Sequence, residues 1–232
     1  MNVQEFVKKF RNHPIMFIGT GLSLRYLSTA FSWEDLLKKV AYEFNPNEEY
    51  YLDIKSECMN SSGCDFSKMA TRLEIDFNKY LQSNRNGKFK SVNDTFYENM
   101  KNGVNVSRFK LYIAELLNEI TFKEGIENEL AELKKIRKNI GSIITTNYDR
   151  MIEEIFSFNP LIGNDILLSN PYGSVYKIHG CVSVPDKIII TENDYSKFKE
   201  SMNLFEHNYF HYLYIIQLFL SAIYGDKILK IF

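Results

Sequence analysis

The sequence predicts an α/β fold in which a mostly parallel sheet is flanked by helices and interrupted by a helical insertion. Three observations carry that expectation. Short β-rich or apolar runs at residues 15–18, 142–146 and 175–178 alternate with helical stripes, the pattern of strand-helix-strand units. The runs lead into polar or glycine-bearing segments, where sheets of this class open their binding crevice. Between the first and second runs, about residues 45–125 change to mixed helical segments rich in Tyr, Phe, Asn and Lys, the expected insertion.

The elements follow in order. Val3, Phe6, Val7 and Phe10 recur at helical spacing, and His13-Pro14 ends that helix because proline disfavours helical geometry before it. The apolar run Ile15 to Ile18, bounded by Pro14 and Gly19, reads as a strand buried on both faces. Ser32 and Asp35 form a capping box for a helix with Leu36, Leu37, Val40 and Phe44 on one face. Turn signals at Ser61-Ser62-Gly63 and Asn84-Arg85-Asn86-Gly87 punctuate the insertion. Ile126, Leu130, Leu133 and Ile136 make the next helical stripe, acidic at its start and basic at its end as the helix dipole favours. Strands at 142–146 and 175–178 flank a helical face of Met151, Ile152, Ile155 and Phe156. Residues 187–190 read as a fourth strand, with Thr191 and Asp194 as a second capping box. The result is a Rossmann-like architecture.

A chain of 232 residues suits one domain, 1–232, with the insertion inside it. A formal net charge of -1 with no basic stripe argues against nucleic acid as the primary ligand. The most apolar stretch, residues 209–224, contains His211, Gln217 and Ser221 and falls short of the roughly 20 apolar residues of a spanning helix. It reads as a buried helix, and no membrane association is expected. Cys58, Cys64 and Cys181 form no C-x-x-C pair, so neither a disulfide framework nor structural zinc is expected. With no apolar signal segment at the N-terminus, a cytoplasmic protein is expected.

Three segments can carry chemistry, and each has a plain alternative. Gly19-Thr20-Gly21-Leu22-Ser23 follows a strand, where glycines let backbone approach a pyrophosphate; it is equally the form of an ordinary tight turn. Thr145-Thr146-Asn147-Tyr148-Asp149 puts short polar side chains at a strand-helix junction, yet Asn147 and Asp149 are also favoured helix caps. In Lys177-Ile178-His179-Gly180, His179 has a near-neutral ordinary pKa that permits general-base work, although a histidine after a strand is commonly structural. Their joint position at strand ends raises all three.

In order and spacing these segments resemble the sirtuin superfamily: Gly19 to Ser23 its G-A-G-x-S loop, Thr146 to Asp149 its T-Q-N-x-D segment, His179-Gly180 its catalytic H-G. A closer resemblance is to bacterial sirtuin-like domains of antiphage defence proteins, with F-I-G-x-G-L-S, S-W-x-x-L-L, T-T-N-Y-D, K-x-H-G and I-T-x-x-D-Y. Here those stretches are residues 17–23, 32–37, 145–149, 177–180 and 190–195. The resemblance implies hydrolysis of NAD to nicotinamide and ADP-ribose. Asn147 and His179 would be catalytic, Gly19, Thr20, Gly21, Leu22, Ser23, Thr146 and Asp149 would bind NAD, and no metal would take part. It further implies a homo-oligomer answering a phage-derived trigger or a fused or partner sensor. Two departures stand out. No four-cysteine zinc module, usual in deacylating sirtuins, can be assembled, and the G-Y-S-x-x-D-like closing turn is not recognisable in residues 224–232. The second implies a chain that is shortened, divergent or part of a longer effector. The rival readings are a non-catalytic nucleotide-sensing or oligomerisation module and an NAD-dependent deacylase.

Overall fold

The computed structural model describes residues 14–168 and 172–206. Two compact units divide the chain, Met1–Thr191 and Glu192–Phe232. Strand β1 (Ile15–Ile18) enters the sheet and passes through Gly19 into helix α1 (Thr20–Tyr26). Residues 20–23, expected as part of a glycine turn, are the first turn of α1. Gly19, extended at φ -106 and ψ -174, is the single residue between β1 and α1. Helix α2 (Trp33–Phe44) starts at the predicted box: the Asp35 amide donates to Ser32 Oγ at 3.1 Å, and that hydroxyl donates to the Asp35 carboxylate at 2.5 Å.

The insertion contains α3 (Glu48–Glu57), a hairpin of β2 (Met59–Asn60) and β3 (Gly63–Cys64), α4 (Phe66–Ser83), α5 (Lys90–Lys101) and α6 (Arg108–Asn118). Asn47, Asp65 and Ser107 cap α3, α4 and α6 through their side chains, each bond worth about 1 kcal/mol. The helices close on an aromatic centre. Phe77 is fully buried, with its ring centroid 5.2 Å from both Phe89 and Tyr112, and such pairs add about 0.5–1.5 kcal/mol beyond area burial.

Helix α7 (Glu127–Lys135) and a 3-10 turn lead into β4 (Ser142–Thr145), followed by α8 (Met151–Phe156), β5 (Asn159–Ile162) and β6 (Ser174–Lys177). The sheet has the order β1-β4-β6-β5, and its three pairings are all parallel. All four residues of β4 are buried. Ile143 and its registered partner Val175 pack with Met151, Ile152 and Ile155 of α8, while Leu130 and Leu133 of α7 and Ile126 just before it lie against the same core.

Several expectations are corrected. Ile15, Met16 and Phe17 are half-buried rather than covered on both faces, because β1 lies at an edge among the described strands. Residues 187–190 are not a strand. Ile188 and Ile190 are buried in the core formed with the insertion helices, and the Ile189 amide bonds the His179 carbonyl at 3.0 Å instead of a ladder partner. The fourth strand is Asn159–Ile162, whose Pro160 is tolerated because β5 is the other edge. In the second unit, α9 (Glu192–Glu206) begins directly after Thr191, where the second capping box places a helix start. The expected helices over residues 3–10 and 209–224 lie outside the described residues. Among those described, no helix is long and apolar enough to cross a membrane.

Candidate active site

Register places the three motifs on one edge of the sheet. Ile18 pairs with Thr145 and Thr145 with Lys177, so β1, β4 and β6 end in one row. Gly19 follows that row by one residue, and Asn147 and His179 each follow it by two. The Ile178 amide still bonds the Thr145 carbonyl at 3.1 Å, which holds the two exits side by side.

Asn147 is 5% exposed, and its side chain turns back toward α1 rather than forward over α8. Its Nδ2 donates to the Gly19 carbonyl at 3.1 Å and to Ser23 Oγ at 2.8 Å. A carbonyl only accepts, so the amide cannot be flipped, and Oδ1 is the free end. That oxygen is buried and has no hydrogen-bond partner. Capping of α8 falls to Asp149, whose Oδ1 accepts the Met151 amide at 3.0 Å while Oδ2 accepts the Ser23 hydroxyl at 2.8 Å. The two readings of the segment are thereby divided between Asn147 and Asp149.

Beneath them lies Lys177, fully buried, whose Nζ reaches the Asp149 carbonyl and pairs with Glu153 Oε1 at 3.2 Å. His179 is half-buried, and protein crowded around the imidazole pushes its pKa down from 6.5 to about 4. The segment that sequence reads as a fourth strand braces this turn. Besides the bond from Ile189 to His179, Tyr148 donates its hydroxyl to the Ile189 carbonyl at 2.7 Å, and the Val182 amide bonds the Tyr148 carbonyl at 3.0 Å. Gly180 adopts φ +86 with a Cβ position only 2.3 Å from the Lys187 carbonyl oxygen, so only glycine fits.

A cleft opens at this edge of the sheet. Thr20, Ser23, Thr146, Asn147 and Asp149 line it, whereas His179, Gly19, Gly21 and Leu22 are not among its lining residues. Leu22 packs against the sheet core instead. Gly19 and Gly21 have open space where a Cβ would sit, so their bareness serves no packing need. Sequence reasoning missed the opposite wall, which includes Phe31, Trp33, Leu117 and Glu119. The usable signal was the aromatic pair next to the Ser32 capping box. Bonds from the Ser28 amide to the Thr121 carbonyl at 2.9 Å and from the Thr29 hydroxyl to the Glu119 carbonyl at 3.0 Å draw the two segments of that wall together.

Among the described residues no cluster of His, Cys, Asp and Glu could hold a metal ion, and all three cysteines are free. Residues 141–221 match the family model of the SIR2-like domain, a stretch containing Asn147, Asp149 and His179 but not residues 19–23. No curated protein matches the chain. The match supports a sirtuin-like domain and, at that level, chemistry involving NAD.

Proposed function

We propose that this chain is an NAD glycohydrolase, cleaving NAD to nicotinamide and ADP-ribose. The observation that carries the reading is the unbonded Oδ1 of Asn147, a buried acceptor on a residue that lines the cleft, held in its orientation by the Gly19 carbonyl. An acceptor left so costs about 1–3 kcal/mol, which a donor from a ligand relieves; a ribose hydroxyl and a water are such donors. Ser23 and Asp149 hold the amide in place, so the acceptor is organised before the ligand arrives.

In this reaction the bond from the ribose anomeric carbon to the pyridinium nitrogen breaks, and nicotinamide leaves neutral with the bonding pair. Positive charge remains on the ribose. Water adds to that carbon, held by Asn147 Oδ1, and gives its proton to His179, which burial keeps neutral at pH 7 and which then releases it to solvent. The bare backbone at Gly19 and Gly21 would lie against the diphosphate. By the resemblance stated above, the biological role is a toxic effector of antiphage defence that depletes NAD, acting as a homo-oligomer under a phage-derived trigger or a sensor. A second reading has a specific observation in its favour. His179 does not line the cleft, as expected of a module that binds a nucleotide without turnover.

Incubating the protein with NAD and separating the products by chromatography tests both. Nicotinamide and ADP-ribose in equal amounts support hydrolysis; tight NAD binding without nicotinamide release supports the binding module; an acylated ADP-ribose formed from an acyl-lysine peptide supports the deacylase. Loss of phage resistance in cells carrying His179→Ala tests the effector role, and unchanged resistance refutes it.

A further inference from the structure

We propose that Lys177 is a positioning residue that locks the segment bearing Asn147 and Asp149 to the strand that delivers His179. The inference rests on the cleavage reading above. Lys177 is the last paired residue of β6, two positions before His179, and is fully buried. Its ammonium reaches across to β4's exit, contacting the Asp149 carbonyl, and pairs with Glu153 on α8 at 3.2 Å. One side chain thereby joins three things: the strand end carrying His179, the backbone between Asn147 and α8, and α8 itself. The face agrees with the pleat, since Val175, two residues earlier, packs against Met151 and Ile152 of the same helix.

Stability alone does not account for a lysine here. Taking both charges out of water costs several kcal/mol per ion, and apolar residues of similar volume at such a pair are often neutral or stabilising. The pairing is also incomplete, because Glu153 Oε2 is buried without a hydrogen-bond partner. An apolar side chain would fill the space but could not hold the Asp149 carbonyl. That carbonyl belongs to the residue whose carboxylate anchors Ser23, and Ser23 in turn holds the Asn147 amide. If it drifts, the Asn147 acceptor moves away from the ribose while His179 stays with its own strand.

The test compares wild type with Lys177→Met, Glu153→Gln and the double variant, well below their melting temperatures. Lys177→Met should lower kcat by about 10²-fold, the cost of a misplacement near 1 Å, with KM changed less than about twofold. The double variant, which leaves no unpaired carboxylate, should recover melting temperature but not kcat. Recovery of kcat in step with melting temperature, or a wild-type kcat in Lys177→Met, overturns the proposal. Amide hydrogen exchange needs no turnover: faster exchange confined to residues 146–151 and to Val182 supports it, and unchanged or uniformly faster exchange overturns it. Should Lys177→Met not fold, the double variant, which removes the carbonyl contact and leaves no buried charge unpaired, must show the same local exchange and loss of kcat, or the proposal fails. A wild type that releases no nicotinamide defeats the cleavage reading, while the exchange pattern still decides the role of Lys177.

Discussion

Unfolding in acid isolates the setting of His179. Burial pushes the imidazole pKa from 6.5 to about 4, because crowding by protein penalises the charged ring. From about pH 6.5 down to about 4 the unfolded chain therefore carries a proton at this position that the folded chain does not. The state that binds more protons is favoured as pH falls, so this contribution to stability is whole above 6.5 and is lost progressively through that window. At 1.36 kcal/mol per pH unit the gap amounts to about 3 kcal/mol, a ceiling because the accessible part of the ring keeps some hydration. The assay is urea unfolding of wild type and His179→Asn at several pH values from about 7 to about 4. Asparagine does not titrate, so the wild type alone loses this increment. Carboxylates held low in both proteins, such as Glu34 by its bond from Lys55 and Glu129 by its bond from Arg25, cancel in the comparison. Parallel curves of stability against pH would refute the reasoning. The same neutral ring is the form that accepts a proton, so the acid limb of kcat/KM should fall well below pH 6.5; a limb at 6.5 would mean a hydrated ring.

Other expectations follow from named contacts. Asn147→Ala and His179→Ala should each nearly abolish nicotinamide release, with the double variant little worse than either; losses that simply multiply would mean the two do not serve one reacting centre. Gly21→Val should weaken NAD binding in calorimetry while leaving the thermal melt nearly unchanged, since its Cβ meets open space, and an unchanged affinity removes the diphosphate from this loop. Gly180→Ala should destabilise by roughly 1–3 kcal/mol, because φ +86 and the Lys187 carbonyl both oppose a Cβ; a wild-type melting temperature would contradict the geometry of the turn. The fold should survive a chelator, and stoichiometric zinc by elemental analysis with unfolding on its removal would refute that.

The helices and central strands were legible because each carries its own local signal. The capping box at Ser32 and the apolar stripe of α7 act within a few residues, which is the range over which sequence patterns reach. Failures occurred where a partner distant in sequence decides the outcome. Residues 187–190 have the apolar run of a strand, but the backbone groups of Ile189 are taken by His179 and Tyr148, the Lys187 and Ile188 amides bond back to Val184 and Pro185, and the Ile188 and Ile190 side chains enter the core with the insertion helices. Asn159–Ile162 is interrupted by proline and half exposed, so nothing in it announces a strand; its place at an edge makes the proline harmless.

In the site, residue types were legible and their division of labour was not. Asn147 and Asp149 are equally good caps by composition, and only the acceptor at the end of β1, 128 positions away in sequence, turns the Asn147 amide from a cap into an oriented group with a free oxygen. Lys177 was read only as part of the motif before His179. A lysine at the end of a strand in a parallel sheet, covered on both faces, is itself a signal, because burial demands a carboxylate or carbonyl within reach. Glu153, on the helix after Asn147, is the carboxylate that pairs with Lys177. The burial of Lys177 thus calls for a partner without saying which, and it is the ion pair with Glu153 that ties the strand end before His179 to the helix after Asn147.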